Sequence, residues 1–324
     1  MKKILKILRN IVLGFILLIL VTTAILAIRH NILSKKDNAF LKNAYGENFK
    51  LSTGENINYT FYDSPSEDVA VIIPGFGCAS VHYEFDAVAK GLKDKYKIIM
   101  FEPLGVGLSD ETKRDRTSEN YCKELHELME HLNYNKYTLI GHSIAGLYAL
   151  KYSEMYPDEV RSFVGIDASV PNQINYGPKE TKPENTYKSY KLMRTFLVNT
   201  GIYRVLNEFS FKKTLEQIPT ITSKEDKKKA LALNCTNILN DTQMNEIKNM
   251  EQNAKGSIDL QFPENIPVLF MLSNETCKVM PEWEKLHKDV STSKDSKVLI
   301  LKGAHYLHAE NLEDVLKTIK AWNY

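Results

Sequence analysis

The sequence predicts an α/β protein: a mostly parallel sheet flanked by helices, with an inserted helical segment and one transmembrane helix ahead of it. Three observations predict this. Short apolar runs alternate with amphipathic runs of helical length between residues 69 and 166. After a long helix-like stretch the apolar runs resume at residue 267. A single long uncharged apolar segment stands near the N-terminus. Continuous apolar strands between helices are the signature of strands buried on both faces.

The N-terminal segment comes first. Residues 11–28 (IVLGFILLILVTTAILAI) carry no charge, and as a helix they span about 27 Å, close to the thickness of a bilayer core. Lys2, Lys3, Lys6 and Arg9 precede them, so the positive-inside rule leaves the N-terminus in the cytoplasm and the body outside it. The rival reading is a cleaved signal peptide. The apolar run exceeds the usual h-region, and Ala27 ends only a weak cleavage site. Residues 1–33 are therefore expected to be an anchor and the polar residues 34–54 a tether. Residues 1–36 hold seven of the 42 Lys and Arg and no acid, leaving 35 basic against 40 acidic residues in the remainder, a net of about −5. A mildly acidic body argues against nucleic-acid binding.

The body follows in order. Residues 56–62 alternate and read as an edge strand or hairpin arm. Residues 69–73 (VAVII) form a short buried strand ending at Pro74-Gly75. A helix is expected over 84–92 and a second strand over 97–101, ending in Glu102-Pro103-Leu104-Gly105-Val106-Gly107. An amphipathic helix over 117–132, a strand over 137–140, a helix over 144–155 and a strand over 161–166 complete the first half. The alternation breaks at Val170, and 171–262 shows helical patterning without a convincing strand. Strands return over 267–272 and 297–301, and a helix over 312–322 closes the chain. The expected organisation is a core of 55–170 and 263–324 with 171–262 as a helical lid over the strands' C-terminal ends, where open α/β sheets bind ligands. Cys78, Cys122, Cys235 and Cys277 lie far apart and read as small buried thiols rather than a disulfide framework.

Two motifs carry chemistry. Gly141-His142-Ser143-Ile144-Ala145-Gly146 follows a strand and opens a helix, the context of a nucleophile elbow, whose sharp turn needs small neighbours and exposes the serine hydroxyl. The N–H of Ile144, at the helix start, is then an oxyanion donor. Gly303-Ala304-His305 follows the last strand. A serine hydroxyl needs a base within hydrogen-bond reach, and His305 supplies one, with His308 as a structural neighbour.

On Pro74-Gly75-Phe76-Gly77, the turn after residue 102, the elbow and Gly303-Ala304-His305, the sequence resembles the α/β-hydrolase fold superfamily, close to its lidded serine esterases and acyl-hydrolases. The resemblance covers roughly 55–324. It implies that the N–H of Phe76 is the second oxyanion donor. Two departures stand out: Pro74 where the family usually has His, and Ala145 for the last glycine of the elbow. Glu102 takes the place of the family's aspartate and is expected to bond the Gly105–Gly107 turn.

The triad acid is less plainly written. The family usually places it after the strand that here is 267–272, but Ser273-Asn274-Glu275-Thr276 has Thr at that position. Glu275 stands one residue early. Asp167, after the strand that follows the nucleophile helix, occupies the family's alternative position and is the preferred acid, with Glu275 as the alternative. His126 and His131 miss the zinc motif H-E-x-x-H by one residue and face different sides of a helix, so no metal and no cofactor are expected. The function expected is a serine hydrolase that cleaves a small-molecule carboxylic ester or amide through an acyl-enzyme on Ser143. An acyltransferase of the same fold and a non-catalytic membrane-anchored binding protein are the alternatives.

Overall fold

The computed structural model describes residues 2–177, 183–217, 221 and 223–324. The chain divides into two compact units, one of residues 1–42 with 189–236 and one of 43–188 with 237–324.

The larger unit is built on an eight-stranded sheet in the order β1-β2-β4-β3-β5-β6-β7-β8. Its strands are β1 (Glu47–Lys50), β2 (Asn56–Tyr62), β3 (Val69–Ile73), β4 (Lys97–Glu102), β5 (Tyr137–His142), β6 (Val160–Ile166), β7 (Val268–Ser273) and β8 (Lys297–Leu301). The pairs β1·β2 and β2·β4 are antiparallel, and every pair from β4 through β3 to β8 is parallel. Every residue of β3, β5 and β7 is buried, which is why β3 is apolar throughout and β7 up to Leu272. Ile99, Leu139, Phe163 and Phe270 pack on one face, against helices α4 (Ser118–His131) and α5 (Ala145–Met155). Ile98, Ile140, Val164 and Met271 pack on the other, with α3 (Asp86–Leu92) and α13 (Leu312–Ala321). The helix expected over 84–92 is broken into α2 (Val81–Glu84) and α3. Ser80 caps α2 by accepting from the Tyr83 N–H.

The structure differs from expectation at the tether. The first helix, α1 (Lys2–Leu41), runs through residues 34–41, and β1 lies where the tether was expected to end. Within the smaller unit the buried Arg204 of α7 (Ile202–Gln217) holds this part of α1. Its guanidinium donates to His30 Nδ1 (3.1 Å), Ser34 Oγ (3.0 Å) and Asp37 Oδ2 (2.6 Å). Partners this distant in sequence leave no periodicity to read. The apolar part of α1 is long and apolar enough to cross a membrane, and its side chains from Ile4 to Ile28 are largely exposed.

The stretch 171–262 is helical where described. It contains α6 (Pro183–Met193), a π-helical turn at Arg194–Val198, α7, α8 (Lys224–Asn237) and α9 (Asp241–Lys255). It is divided between the units: 189–236 belong with 1–42, and 171–188 and 237–262 belong with the sheet. Asn240 Nδ2 donates to the Gly105 carbonyl (2.8 Å), and Asn253 Nδ2 to that of Arg116 (3.0 Å), binding α9 to loops of the sheet unit. All four cysteines are free, with Cys78, Cys122 and Cys235 buried.

Candidate active site

The elbow forms where β5 meets α5. Ser143 has φ of 56°, a left-handed backbone that a non-glycine residue holds only where its surroundings impose it. The surroundings are specific. The Ser143 carbonyl accepts from Ser169 N–H (2.6 Å) and Gly146 N–H (3.0 Å). A side chain on Gly146 would run into the Ser169 backbone, which explains the glycine. Ala145 is fully buried and faces Gly141, where an added Cβ would lie 2.9 Å from the Ala145 Cβ, so the pair has room for one methyl group. Ile144 opens α5 without a side-chain cap, and the first N–H groups of a helix have no partner within it.

The Pro74-Gly75-Phe76-Gly77 loop lies against the elbow. A Cβ on Gly75 would stand 3.1 Å from Ser143 Cβ and 2.8 Å from His142 Nδ1. The backbone that precedes Phe76 therefore passes beside the serine. Glu102 ties the neighbouring turn, as expected. Its buried carboxylate accepts from Leu108 N–H (2.8 Å), Ser80 Oγ (2.8 Å) and Tyr45 OH (2.9 Å). Gly107, at φ 59°, has no room for a Cβ because the Glu102 carboxylate occupies that space. Burial raises the Glu102 pKa despite these donors.

His305 and Asp167 meet directly. His305 Nδ1–H donates to Asp167 Oδ2 at 2.7 Å. That bond assigns the ring proton to Nδ1 and leaves Nε2 as the basic nitrogen. Asp167 is fully buried at the end of β6, at φ 41°. It accepts three further bonds: Ser273 N–H (2.9 Å), Trp283 Nε1–H (2.9 Å) and Thr276 Oγ1–H (2.6 Å). Burial alone would raise its pKa. The bonds from His305, Thr276, Ser273 and Trp283 outweigh burial and hold it below the usual carboxylate range.

Glu275, the alternative acid, is not brought to His305. Its side chain is exposed in the first turn of α10 (Asn274–Val279), where its backbone N–H donates to Ser273 Oγ (3.1 Å). The side chain of this turn that reaches Asp167 is Thr276, which stands where the family usually has its acid. The loop bearing His305 is held by Ser273 Oγ–H to the Gly303 carbonyl (2.7 Å) and Gly303 N–H to Asn274 Oδ1 (3.0 Å).

Ser143 and His305 are joined through His142. Its Nε2–H donates to the His305 carbonyl (3.0 Å), and the two rings lie 4.6 Å apart. Burial, followed by the neighbouring His308 and His305, lowers the His142 pKa to about 3, so its ring is neutral. No hydrogen bond joins Ser143 Oγ to His305 among the described residues, and such bonds often form only with substrate bound. Trp283, Thr276 and His142 escaped the sequence reading. The two positions on offer were Thr276, standing where an acid was expected, and His142, beside the nucleophile. Trp283 leaves no local signal.

Comparison with known proteins agrees with this architecture. The profile of the family described as alpha/beta hydrolase fold matches residues 69–198. The chain has the α/β-hydrolase fold. It is 24% identical over 282 residues to YbdG of Bacillus subtilis, an uncharacterized protein, covering 84% of this chain and 81% of that one. It is 32% identical over 116 residues to a proline iminopeptidase of Lactobacillus acidophilus, a match that spans 34% of this chain and 40% of the relative. The crystal structure of Bacillus megaterium epoxide hydrolase superposes with a TM-score of 0.66 at 13% identity, covering 85% of this chain and 99% of that one.

Proposed function

We propose that the protein is a serine hydrolase that cleaves a carboxylic ester or amide. The observation that carries this reading is the 2.7 Å bond from His305 Nδ1–H to the buried Asp167, in a fold whose elbow presents Ser143 in a left-handed turn. In this reading Ser143 Oγ attacks the substrate carbonyl carbon while His305 Nε2 takes its proton. Asp167 holds the tautomer and stabilises the imidazolium. The N–H groups of Ile144 and Phe76 bind the oxyanion. The imidazolium protonates the leaving alcohol or amine, and water, deprotonated by His305, then releases the acid from Ser143. Serine as nucleophile argues against epoxide opening, which relatives of this fold perform with aspartate. The local similarity to a proline iminopeptidase favours testing an amide beside an ester.

The test is labelling of the full chain by a fluorophosphonate probe, with turnover of a short-chain aryl ester and a proline arylamide. Wild type is expected to label at Ser143, and Ser143→Ala is expected neither to label nor to turn over either substrate. Turnover unchanged in Ser143→Ala would refute the assignment. We also propose that α1 anchors the chain in a membrane with its catalytic unit outside the cytoplasm. Full-length protein is then expected to stay with membranes through an alkaline carbonate wash, and its extraction by that wash would refute the anchor.

A further inference from the structure

Beside the triad lies a second cluster that the proposed chemistry does not use. One oxygen of Glu84 and one ring nitrogen each of His142 and His308 lie within 4.8 Å of one another. Each belongs to a different segment: the end of α2, the end of β5, and α12 (Leu307–Glu310). His308 is 2% exposed, and neither of its ring nitrogens makes a hydrogen bond among the described residues. His142 is 1% exposed, and its Nδ1 is likewise unbonded. Buried ring nitrogens without a hydrogen bond are rare in folded proteins, so a group that satisfies them is worth seeking.

One distance suggests what that group is. His308 Nε2 stands 3.4 Å from Glu84 Oε1. That is long for a charge-assisted hydrogen bond, which falls at about 2.7–2.9 Å. It equals the edge of a tetrahedron with metal–ligand bonds of about 2.1 Å, roughly 3.4 Å, as for imidazole and carboxylate on zinc. The second ring nitrogen of His142 already donates to a backbone carbonyl, the orienting contact typical of metal-bound histidine. The rings are held by packing. Phe85 stacks on His308 at 4.5 Å, and His142 meets His308 edge to face at 4.7 Å.

We propose that Glu84, His142 and His308 form a site for a divalent transition metal of the zinc class. Two imidazoles and one carboxylate are a zinc-type donor set with a fourth position left open. A metal there ties together the segment after the Phe76 loop, the strand that ends in the elbow and the loop that carries His305. The role is structural, and it does not rest on the hydrolase reading.

The experiment uses the full chain in detergent, stripped with a chelator and then titrated with Zn2+ against a chromogenic competitor. Co2+ loading is followed by visible absorption. Wild type is expected to bind one Zn2+ per chain and to show the intense d–d bands of tetrahedral Co2+. Glu84→Gln keeps the side-chain shape and is expected to weaken Zn2+ binding at least 100-fold and to lose those bands. His308→Ala, checked for folding by circular dichroism, is expected to do the same. Failure of wild type to bind a stoichiometric metal overturns the proposal, as does equal binding by a folded Glu84→Gln. Fluorophosphonate labelling of the same samples reports on Ser143 independently, so the two readings fail separately.

Discussion

Asp167→Asn separates a catalytic carboxylate from a structural one. Asp167 receives four donors and faces no acceptor. Asparagine keeps the shape but replaces one oxygen with an NH2 group that must itself donate. At the Oδ1 position it would face Ser273 N–H and Trp283 Nε1–H, two donors that cannot become acceptors. At the Oδ2 position it would face Thr276, whose hydroxyl can turn to accept, and His305 Nδ1, which can accept once deprotonated. The amide therefore settles with its NH2 toward His305 and drives the ring proton to Nε2. The base then points an N–H, not a lone pair, toward the nucleophile. A triad histidine held in the wrong tautomer loses about 10^4 in kcat, or roughly 5.5 kcal/mol of transition-state stabilisation. The assay is kcat and kcat/KM on an aryl ester, with thermal unfolding to show that the variant is folded. A folded Asp167→Asn with kcat within tenfold of wild type would show that Asp167 does not set the His305 tautomer.

The same substitution predicts a pH dependence. The native Asp167 pKa is depressed, so its carboxylate contributes stability that is fully present above the unfolded value of about 3.9 and is lost as pH falls below it. Urea titrations are expected to show the gap between wild type and Asp167→Asn shrinking from pH 5 to pH 3; a constant gap counts against it. Glu275→Gln is expected to leave kcat within twofold, because its side chain is exposed and apart from His305; a hundredfold loss would restore it as the acid. Gly75→Ala forces a methyl group to within 3.1 Å of Ser143 Cβ and is expected to lower kcat by about 10^2 with the fold intact, since displacements near 1 Å cost that much. Gly107→Ala meets both a positive φ and the Glu102 carboxylate, and is expected to destabilise by roughly 2–4 kcal/mol in urea unfolding; a loss under 0.5 kcal/mol would show that the turn relaxes freely.

Much of the core was legible because its signals are local. Strands β3 and β8 fall where their apolar runs place them, and α4 and α5 within a residue of expectation, since periodicity and turn residues act over a few positions. Ser143 and His305 were legible for the same reason: each sits in a short motif at the end of a strand. The continuation of α1 to Leu41 was not, because it depends on Arg204, far along the chain. The division of 171–262 between two units likewise depends on side chains such as Asn240, the N-cap of α9, and Asn253 within it, whose distant partners leave no local signal.

By itself the sequence determined the alternation of strands and helices, the apolar N-terminal helix, the strained turn at Ser143 and the histidine after the last strand. Each follows from residue chemistry within one segment. Which of the two carboxylates, Asp167 or Glu275, meets His305 is a matter of tertiary structure alone. That choice depends on β6, β7 and β8 lying side by side, which brings the end of β6 beneath the His305 loop and turns Thr276 and Trp283 toward the same carboxylate. The meeting of Glu84, His142 and His308 arises in the same way, since three segments far apart in sequence come together once the sheet is assembled.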